Sequence, residues 1–464
     1  MTTLWSGRFD GAPDATALEW GSSFGFDRRL FEDDVQGSRA WAQALRHAGV
    51  LGTEEAQALD AALAEILARG QADPAILAGE DEDVHSFVER LLVERLGDTG
   101  RRLHTGRSRN EQVSLDLRLY LRRRILELQK TLVSVVAALA EQATAAGDAL
   151  MPAFTHFRPA QPVLVAHFFI AHAAALRRDA ARLSAARDEA DALPLGSGAI
   201  AGTSYAVDVQ QLARDLGFSR IVANSIDASS DRDFAATFVY AAGLAMVHLS
   251  RLSEDLIILC GDEYRFFELS DALSTGSSMM PQKKNPDPLE LVRGKSGRAL
   301  GGLIGLLVTL KGLPSGYNKD LQEDKHAVFD AEDTLAGCLT VVRAVVAGLT
   351  LNRARARAAA SGLLLATDVA DYLVGRGVPF RRAHEIVGAL VRKLVAEERD
   401  FSSLGMNEWR AASDLFGDDI VGRITPEASV LAKMTPQSTA PGAVSAALAD
   451  LRQWIAASSA LLPR

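Results

Sequence analysis

Residues 276–286 read Gly-Ser-Ser-Met-Met-Pro-Gln-Lys-Lys-Asn-Pro and concentrate more polar chemistry than any other stretch of the chain. Glycine and proline stand at its ends and centre, where they interrupt regular structure, so the segment is predicted to be a loop. It carries neighbouring hydroxyls, neighbouring ammonium groups and a carboxamide. Such groups can bind an anion and stabilise negative charge that grows during a reaction, although many polar turns are merely solvated. The adjacent Met279 and Met280 are expected to pin this loop against a core.

A second polar cluster, residues 104–110, reads His-Thr-Gly-Arg-Ser-Arg-Asn and comes directly before a long segment without Gly or Pro. Free backbone N–H groups at the start of a helix attract anions, and Arg107 and Arg109 are expected to strengthen that attraction. The alternative is an ordinary helix start with two solvated arginines. The cluster is therefore a candidate anion site that depends on its neighbours in the fold.

No metal site is expected. The acids and histidine of residues 81–85 precede an apolar helical pattern, where acidic side chains complement the helix dipole. His167 and His172 are five residues apart and so do not share a helix face, and no HExxH motif occurs.

The elements that must position these clusters are helical. Long stretches with helical periodicity and few breakers cover residues 107–146, 163–193, 234–260 and 288–310, and a fifth begins near residue 318. No series of alternating strands is apparent, so the fold class is predicted to be all-α, with three domains around a long central helical bundle. The boundaries are predicted at 1–110, 111–360 and 361–464. Glycines at 297, 301 and 305 share one helix face, which predicts close approach of another helix.

Composition excludes several classes of protein. Hydrophobic residues make up 48% and charged residues 23%, as in soluble globular proteins, and the net charge of −9 disfavours a nucleic-acid partner. Cys260 and Cys338 are expected to be buried thiols in a reducing compartment. The N-terminus lacks the apolar region of a signal peptide, and the longest apolar run, 299–310, is too short to span a bilayer. A cytoplasmic protein without a membrane partner is expected.

The spacing Gly-Ser-Ser-x-Met-Pro-x-Lys-x-Asn-Pro in the 276–286 loop resembles the signature loop of the fumarase/aspartase superfamily. The resemblance covers eight specified positions, which makes the motif specific. Members of this superfamily eliminate a group from a succinate-like substrate and release fumarate, or run the reverse reaction. The resemblance therefore implies a lyase with a fumarase/aspartase-like fold.

Further segments are similar to one branch, the argininosuccinate lyase family. They are Trp5–Phe9, His104–Asn110, Thr155-His156 with residues 160–162, and Tyr317–Lys325. Two positions depart from the family pattern, because Glu111 stands where Asp is common and Pro288 where Ser or Ala is common. Neither departure falls on a group expected to do chemistry.

The resemblance implies roles for individual residues. Ser277 is expected to be the general base, and Lys283 with the loop amides to stabilise the carbanion. His156, oriented by Glu290, is expected to protonate the leaving group. The residues expected to bind substrate are Ser23, Asn110, Thr155, Asn285, Tyr317, Gln322 and Lys325. Those expected to support the site are His85, Arg109 and Arg232.

The implied reaction splits argininosuccinate into arginine and fumarate without redox change, so no cofactor is expected. The family forms homotetramers in which each site combines residues from three chains, and the same assembly is expected here. Two alternatives stay open. One is adenylosuccinate lyase or another fumarate-releasing lyase, which shares the loop but does not require the Tyr317–Lys325 segment. The other is a crystallin-like structural protein.

Overall fold

The computed structural model describes residues 14–461, and between them twenty α-helices account for most of the chain. The predicted all-α fold class is confirmed. The helices of the first half are α1 (Ala15–Gly21), α2 (Phe24–Asp27), α3 (Phe31–His47), α4 (Thr53–Ala72), α5 (Val84–Leu96), α6 (Asp98–Arg102), α7 (Arg109–Ala146), α8 (Val165–Ala190), α9 (Val209–Asp215) and α10 (Ser225–Ser230). Those of the second half are α11 (Asp233–Cys260), α12 (Asp287–Leu310), α13 (Asp324–Ala347), α14 (Arg353–Ala359), α15 (Ala366–Val374), α16 (Phe380–Ala396), α17 (Met406–Ala412), α18 (Ile420–Arg423), α19 (Pro426–Leu431) and α20 (Pro441–Leu461).

The five helices predicted from periodicity are α7, α8, α11, α12 and α13. The longest, α7, has 38 residues, and its apolar stripe faces inward because side chains three and four residues apart share a helix face. Seven residues of this stripe are at most 1% exposed: Leu117, Leu121, Ile125, Leu128, Leu132, Val135 and Leu139. Burial of this stripe, more than local propensity, stabilises so long a helix.

The strands form two-stranded ribbons. Antiparallel pairs join β1 (Leu150–Thr155) to β2 (Arg158–Leu164), β5 (Phe267–Glu268) to β8 (Thr350–Leu351), and β6 (Thr275–Gly276) to β7 (Lys284–Asn285). A short parallel pair joins β3 (Ala192–Leu193) to β4 (Arg220–Ile221). Two of these ribbons carry candidate catalytic residues at their tips.

Contacts divide the chain into two compact units, each built from three segments. Unit 1 comprises residues 1–128, 181–244 and 297–335, and unit 2 comprises residues 129–180, 245–296 and 336–464. The three-part division at residues 110 and 360 stays a prediction, although α7 begins at Arg109, close to the first boundary.

Each unit has its own aromatic packing. In unit 1 the Phe87 ring lies 4.9 Å from Phe24 and 6.3 Å from Phe31, which fixes α5 against α2 and α3. In unit 2 the C-terminal helices α15 to α17 enclose a cluster in which Trp409 stacks near Phe401 and Phe416.

Helix α11 is long and apolar enough, by length and composition alone, to cross a bilayer. However, 56% of its most apolar window is buried inside the protein, as expected of a core helix. It is therefore weak support for a membrane span.

Candidate active site

A cavity of about 930 Å³ lies within unit 1. Its walls come from α1, α2, the loop 79–83, helices α5 and α6, the first turn of α7 and the segment 317–325. Six of the predicted site residues line it, namely Ser23, His85, Arg109, Tyr317, Gln322 and Lys325. The fold therefore gathers into one cavity side chains that are up to about 300 residues apart in sequence.

The cavity lining balances its charges. Apart from His85, five carboxylate side chains line it, Asp27, Glu80, Asp81, Glu82 and Asp83, together with five cationic ones, Arg90, Arg101, Arg109, Lys319 and Lys325. A lining of this kind suits a ligand that carries both positive and negative groups, because each can find a partner of opposite charge.

A buried ion cluster holds the cavity lysine. Asp324 accepts hydrogen bonds from Lys325 Nζ at 2.8 Å and from Arg232 Nε at 2.5 Å. Burial alone would raise the pKa of Asp324, but the two cations outweigh it and the pKa lies below its usual range. Arg232 does not line the cavity and contacts it only through Asp324, so its supporting role stays a prediction.

Hydrogen bonds of Ser23 and Asp27 fix another part of the cavity wall. The Ser23 hydroxyl donates to Asp27, whose other oxygen accepts the backbone N–H of Val84 at 3.0 Å. These bonds tie α2 to the start of α5. Burial raises the pKa of Asp27, although the charge of His85 and the bond from Ser23 oppose the shift.

Tyr317 presents a neutral phenol to the cavity. Burial is the main cause that raises its pKa to about 12, with Arg232 opposing. Tyr317 therefore keeps its proton at neutral pH and can donate a hydrogen bond to a bound carboxylate.

The helix start at 104–110 differs from the prediction in one respect. Its backbone N–H groups are used internally, because Ser108 N donates to Glu111 Oε1 at 3.0 Å in a capping box that starts α7. Arg107 is buried and donates to Ser38 Oγ at 3.1 Å, so the expectation that it faces an anion is wrong. Arg109 alone of the two arginines lines the cavity, 3.7 Å from Asp83.

Asn110 contacts a loop that sequence reasoning missed. Its side-chain amide lies 3.5 Å from the carbonyl oxygen of Ala199, and Gly198 N donates to Glu111 Oε2 at 3.0 Å. Gly196, Gly198 and Gly202 all adopt positive φ, which is the conformational reason for their spacing and was the available signal. Burial raises the pKa of Glu111 to about 7, opposed by the N–H groups that it accepts.

The 276–286 loop lies in unit 2 and is closed by the β6–β7 ribbon, which confirms that it is a loop. Ser277 Oγ accepts two backbone N–H groups, from Met279 at 3.2 Å and from Met280 at 3.0 Å. Hydrogen bonds to an oxygen favour its charged form, so this geometry suits a hydroxyl that must lose its proton. Ser278 has no comparable arrangement among the described residues.

The two methionines do not pin the loop. Met279 is 87% exposed and Met280 is 39% exposed, so the expectation that they pack on a core is wrong within the chain. The loop is instead fixed by polar groups. Thr275 Oγ1 donates to Asp287 Oδ2 at 2.6 Å, and Asn285 Nδ2 lies 3.4 Å from Thr275 Oγ1.

His156 stands at the tip of the β1–β2 hairpin, also in unit 2. The two turn residues, His156 and Phe157, have φ values of 54° and 57°. Positive φ at both positions defines a type I′ turn, which ordinarily uses Asn-Gly, and non-glycine residues in this region cost roughly 1–3 kcal/mol each. Strain of this kind concentrates at functional sites, and it presents Thr155 and His156 on the surface.

Glu290 lies in the first turn of α12, with its carboxylate 3.9 Å from Arg293 Nη2. Within the described residues of one chain, no hydrogen bond joins Glu290 to His156. The orientation of His156 by Glu290 therefore stays a prediction.

Sequence reasoning did not single out several cavity residues. Asp27 and Arg90 line the cavity outside the motifs, whereas Lys319, whose Nζ lies 3.3 Å from Glu82 Oε1, belongs to the Tyr317–Lys325 segment. Scattered surface-like charges of this kind give no signal in one sequence. The motif Trp5–Phe9 lies outside the described residues.

Comparisons with known proteins agree with this geometry. Two family models match the chain, one described as Lyase over residues 7–301 and one as Argininosuccinate lyase C-terminal over residues 363–431. Among solved structures, an EDDS lyase variant with bound fumarate has a TM-score of 0.85 at 26% identity and covers 98% of this chain and 92% of its own. The fold and the site thus define a lyase of the fumarase/aspartase superfamily.

The curated relatives narrow the family further. An argininosuccinate lyase of Moorella thermoacetica is 47% identical over 99% of this chain and 100% of its own length. One of Roseiflexus castenholzii is 48% identical over 97% of this chain and 99% of its own. The chain belongs to the argininosuccinate lyase family.

Proposed function

We propose that this protein is an enzyme that reversibly splits argininosuccinate into L-arginine and fumarate, a step of arginine biosynthesis. Membership of the family supports this reaction. The observation that carries it is the environment of Ser277, whose oxygen accepts backbone N–H groups of Met279 and Met280 at the head of the signature loop. The charge-balanced cavity agrees, because argininosuccinate carries carboxylates together with an ammonium and a guanidinium group.

Ser277 removes a proton from the carbon next to one succinate carboxylate. The electron pair moves into that carboxylate, which gains charge on its oxygens until the C–N bond breaks. Lys283, Asn285 and the loop amides offset that charge. Because the same donors favour the Ser277 alkoxide, the loop serves both the base and the carbanion.

The leaving guanidino nitrogen needs a proton as the C–N bond breaks. His156 supplies it, and Glu290 orients the imidazole by accepting its second N–H. Ser23, Asn110, Thr155, Tyr317, Gln322 and Lys325 bind the substrate. No redox change occurs in this scheme, so no cofactor takes part.

The active assembly is a homotetramer whose sites combine several chains. Helix α12 supports this, because it exposes an apolar stripe that includes Ile304, 61% exposed, and Val308, 55% exposed. A Cβ added at Gly297, Gly301 or Gly305 would meet nothing within 4 Å in the chain, which leaves a smooth face open to another helix. The unpaired thiols of Cys260 and Cys338 suit the cytoplasm as the compartment.

Fumarate absorbance measured with purified protein separates the candidate functions. Release of fumarate from argininosuccinate but not from adenylosuccinate is the expected result. Release from adenylosuccinate instead would favour the other branch of the superfamily. No release from either substrate would leave a crystallin-like structural role.

A further inference from the structure

His85 lies at the start of α5 in the wall of the unit 1 cavity, with its side chain 1% exposed. Its ring nitrogen Nδ1 lies 2.8 Å from Asp34 Oδ1 on α3 and 3.1 Å from Asp116 Oδ2 on α7. Both carboxylates are fully buried. One imidazole edge is thus shared between two acids, and the mechanism above assigns none of the three a role.

The two carboxylates have few other partners. Asp34 Oδ1 also accepts Gln112 Nε2 at 2.5 Å, while Asp34 Oδ2 and Asp116 Oδ1 have no hydrogen-bond donor among the described residues. Buried carboxylates persist only when they are paired with a cation or protonated. Burial and the charge of Asp34 raise the pKa of Asp116 to about 8, so Asp34 is the carboxylate that most needs a cation beside it. The charged ring supplies one, and Arg107 supplies the other cation of the cluster.

Because Nδ1 is used by the two acids, only Nε2 of His85 can form a hydrogen bond to a ligand in the cavity. With Nδ1–H directed at the carboxylates, Nε2 is the edge that remains for the cavity that His85 lines. In a neutral ring with Nδ1 protonated, Nε2 is an acceptor, whereas in an imidazolium it is a donor. The protonation state therefore decides whether this wall attracts or repels a substrate carboxylate.

We propose that Asp34 and Asp116 hold His85 as an imidazolium, and that its Nε2–H binds a carboxylate of the substrate. The claim that Nε2–H binds a substrate carboxylate rests on the proposed function. The claim that His85 is protonated rests on the geometry of the cluster alone. His85 then becomes a specificity-determining residue, since it favours substrates with a carboxylate at that wall.

The surrounding charges agree with a cationic ring. Burial alone would lower the pKa of His85, but Asp34, Asp83 and Asp116 outweigh it and raise the pKa to about 10. Because the charged form persists below that pKa, the ring stays protonated throughout the neutral range. The charged and titratable groups that face the cluster from α2, α3, α7 and the adjoining segments are Asp27, Asp33, Asp34, Asp83, Glu89, His104, Arg107, Arg109 and Asp116.

A metal ion is the rival occupant, because one ligand atom each from Asp34, His85 and Asp116 lies within 4.8 Å of the others. The Nδ1 to oxygen distances, 2.8 and 3.1 Å, also fit one N–H shared between the two acids without an ion. Arg107 also places a buried positive charge next to the acids, which opposes a second cation.

Histidine C2–H exchange read by mass spectrometry reports the protonation of single rings in the intact protein. The His85 ring is expected to show the exchange rate of a protonated imidazole from pH 6 to pH 9. The exposed His384 serves as the reference ring. Titration of His85 near pH 6.5, the ordinary value for histidine, would overturn the charge assignment. So would a stoichiometric metal in the purified protein, measured by elemental analysis.

Variants of the two acids test whether Asp34 and Asp116 keep His85 protonated. Asp34→Asn and Asp116→Asn each leave one carboxylate beside Nδ1, so His85 is expected to remain protonated at pH 7 in either. The double variant removes both acids, and its His85 is expected to be neutral at pH 7. A double variant that keeps a cationic ring would overturn the pairing. If it does not fold, the wild-type exchange profile still decides the charge.

Steady-state kinetics test whether Nε2–H of His85 binds the substrate. His85→Gln keeps a neutral donor, and the KM for argininosuccinate is expected to rise about 10- to 100-fold while kcat changes less, since a charge-assisted bond is lost. An unchanged KM with only a lower melting temperature would show a structural role. If the wild-type protein does not act on argininosuccinate, the proposed function fails, whereas the exchange profile tests the charge of His85 independently.

Discussion

Lys284 Nζ lies 2.8 Å from Asp271 Oδ1 and also donates to the backbone oxygen of Leu269, so its ammonium group is held by unit 2 itself. The preceding lysine, Lys283, is exposed, and its ammonium group has no hydrogen-bond or ion-pair partner among the described residues. Two adjacent residues of the same type therefore differ in whether they can reach a ligand.

This difference predicts unequal losses. Lys283→Met is expected to lower kcat about 100- to 1,000-fold, the cost of removing one donor to a developing oxyanion. Lys284→Met is the matched control and is expected to lose far less, because its partner is Asp271. Steady-state rates of fumarate release measure both. Equal losses would mean that the charge of the loop is not placed specifically.

Ser277→Ala is expected to lower kcat about 100- to 10,000-fold while argininosuccinate still binds, since the hydroxyl acts on the barrier. Calorimetry gives the binding and steady-state rates give the barrier. Ser278→Ala is the control and should retain most activity, because only the Ser277 oxygen accepts the two N–H groups of the turn. An inactive Ser278 variant beside an active Ser277 variant would reverse the assignment.

Asp324 and Asp330 lie on the same helix, α13, in different surroundings. Asp324→Asn is expected to cost about 3–5 kcal/mol of unfolding free energy, since it leaves Lys325 and Arg232 buried without their anion. Asp330→Asn breaks an exposed pair with Arg298 and is expected to cost about 1 kcal/mol or less. Urea unfolding at pH 7 compares them, and similar costs would contradict the assigned role of burial.

The same aspartate gives a pH dependence. Its pKa is lowered in the folded protein, so its stabilising effect is complete above the ordinary range near pH 4 and fades as the pH falls through the lowered value. The free-energy difference between wild type and Asp324→Asn is therefore expected to shrink below about pH 4. A difference that is constant from pH 7 to pH 3 would exclude the ion pairs as its cause.

The exposed stripe of α12 predicts the assembly. Ile304→Asp is expected to shift the protein from tetramer toward smaller species in analytical ultracentrifugation, because a carboxylate would be buried in the interface. Val395→Asp changes a similarly exposed residue, 59% against 61%, on α16 outside this stripe, and should leave the assembly intact. A tetrameric Ile304→Asp protein would argue against an α12 interface.

Complementation tests whether sites combine chains. His156→Asn and Ser277→Ala are each expected to be inactive, and mixtures refolded together should regain activity well above either parent. Recovery follows because some hybrid sites draw both intact residues from different chains. If hybrid tetramers form, shown by differently tagged subunits, and activity stays at the parental level, the composite-site proposal fails.

Sequence periodicity was sufficient for the long helices, because a buried stripe such as that of α7 repeats along neighbouring turns. The signature loop was also readable, since its glycine, prolines and lysines are consecutive. His85 was different. Its partners Asp34 and Asp116 lie on other helices and resemble ordinary surface acids in the sequence, so only packing reveals that the three are buried together.

The hairpin that carries His156 was missed for a local reason. Its turn residues, His156 and Phe157, lack the Asn-Gly signal of a type I′ turn. Arg107 was misread because a helix start rich in arginine gives no indication of which side chain points inward.

The chain passes between the two units five times, after residues 128, 180, 244, 296 and 335, and every passage falls inside an α-helix. During synthesis, unit 1 lacks a segment until residue 335 has left the ribosome, and unit 2 needs residues beyond it. Unit 1 can therefore finish folding only late in synthesis and unit 2 only near its end, unlike domains that fold in sequence order. Apolar stripes such as that of α7 must wait for distant segments, so newly made chains are expected to depend on chaperones more than their helical content suggests.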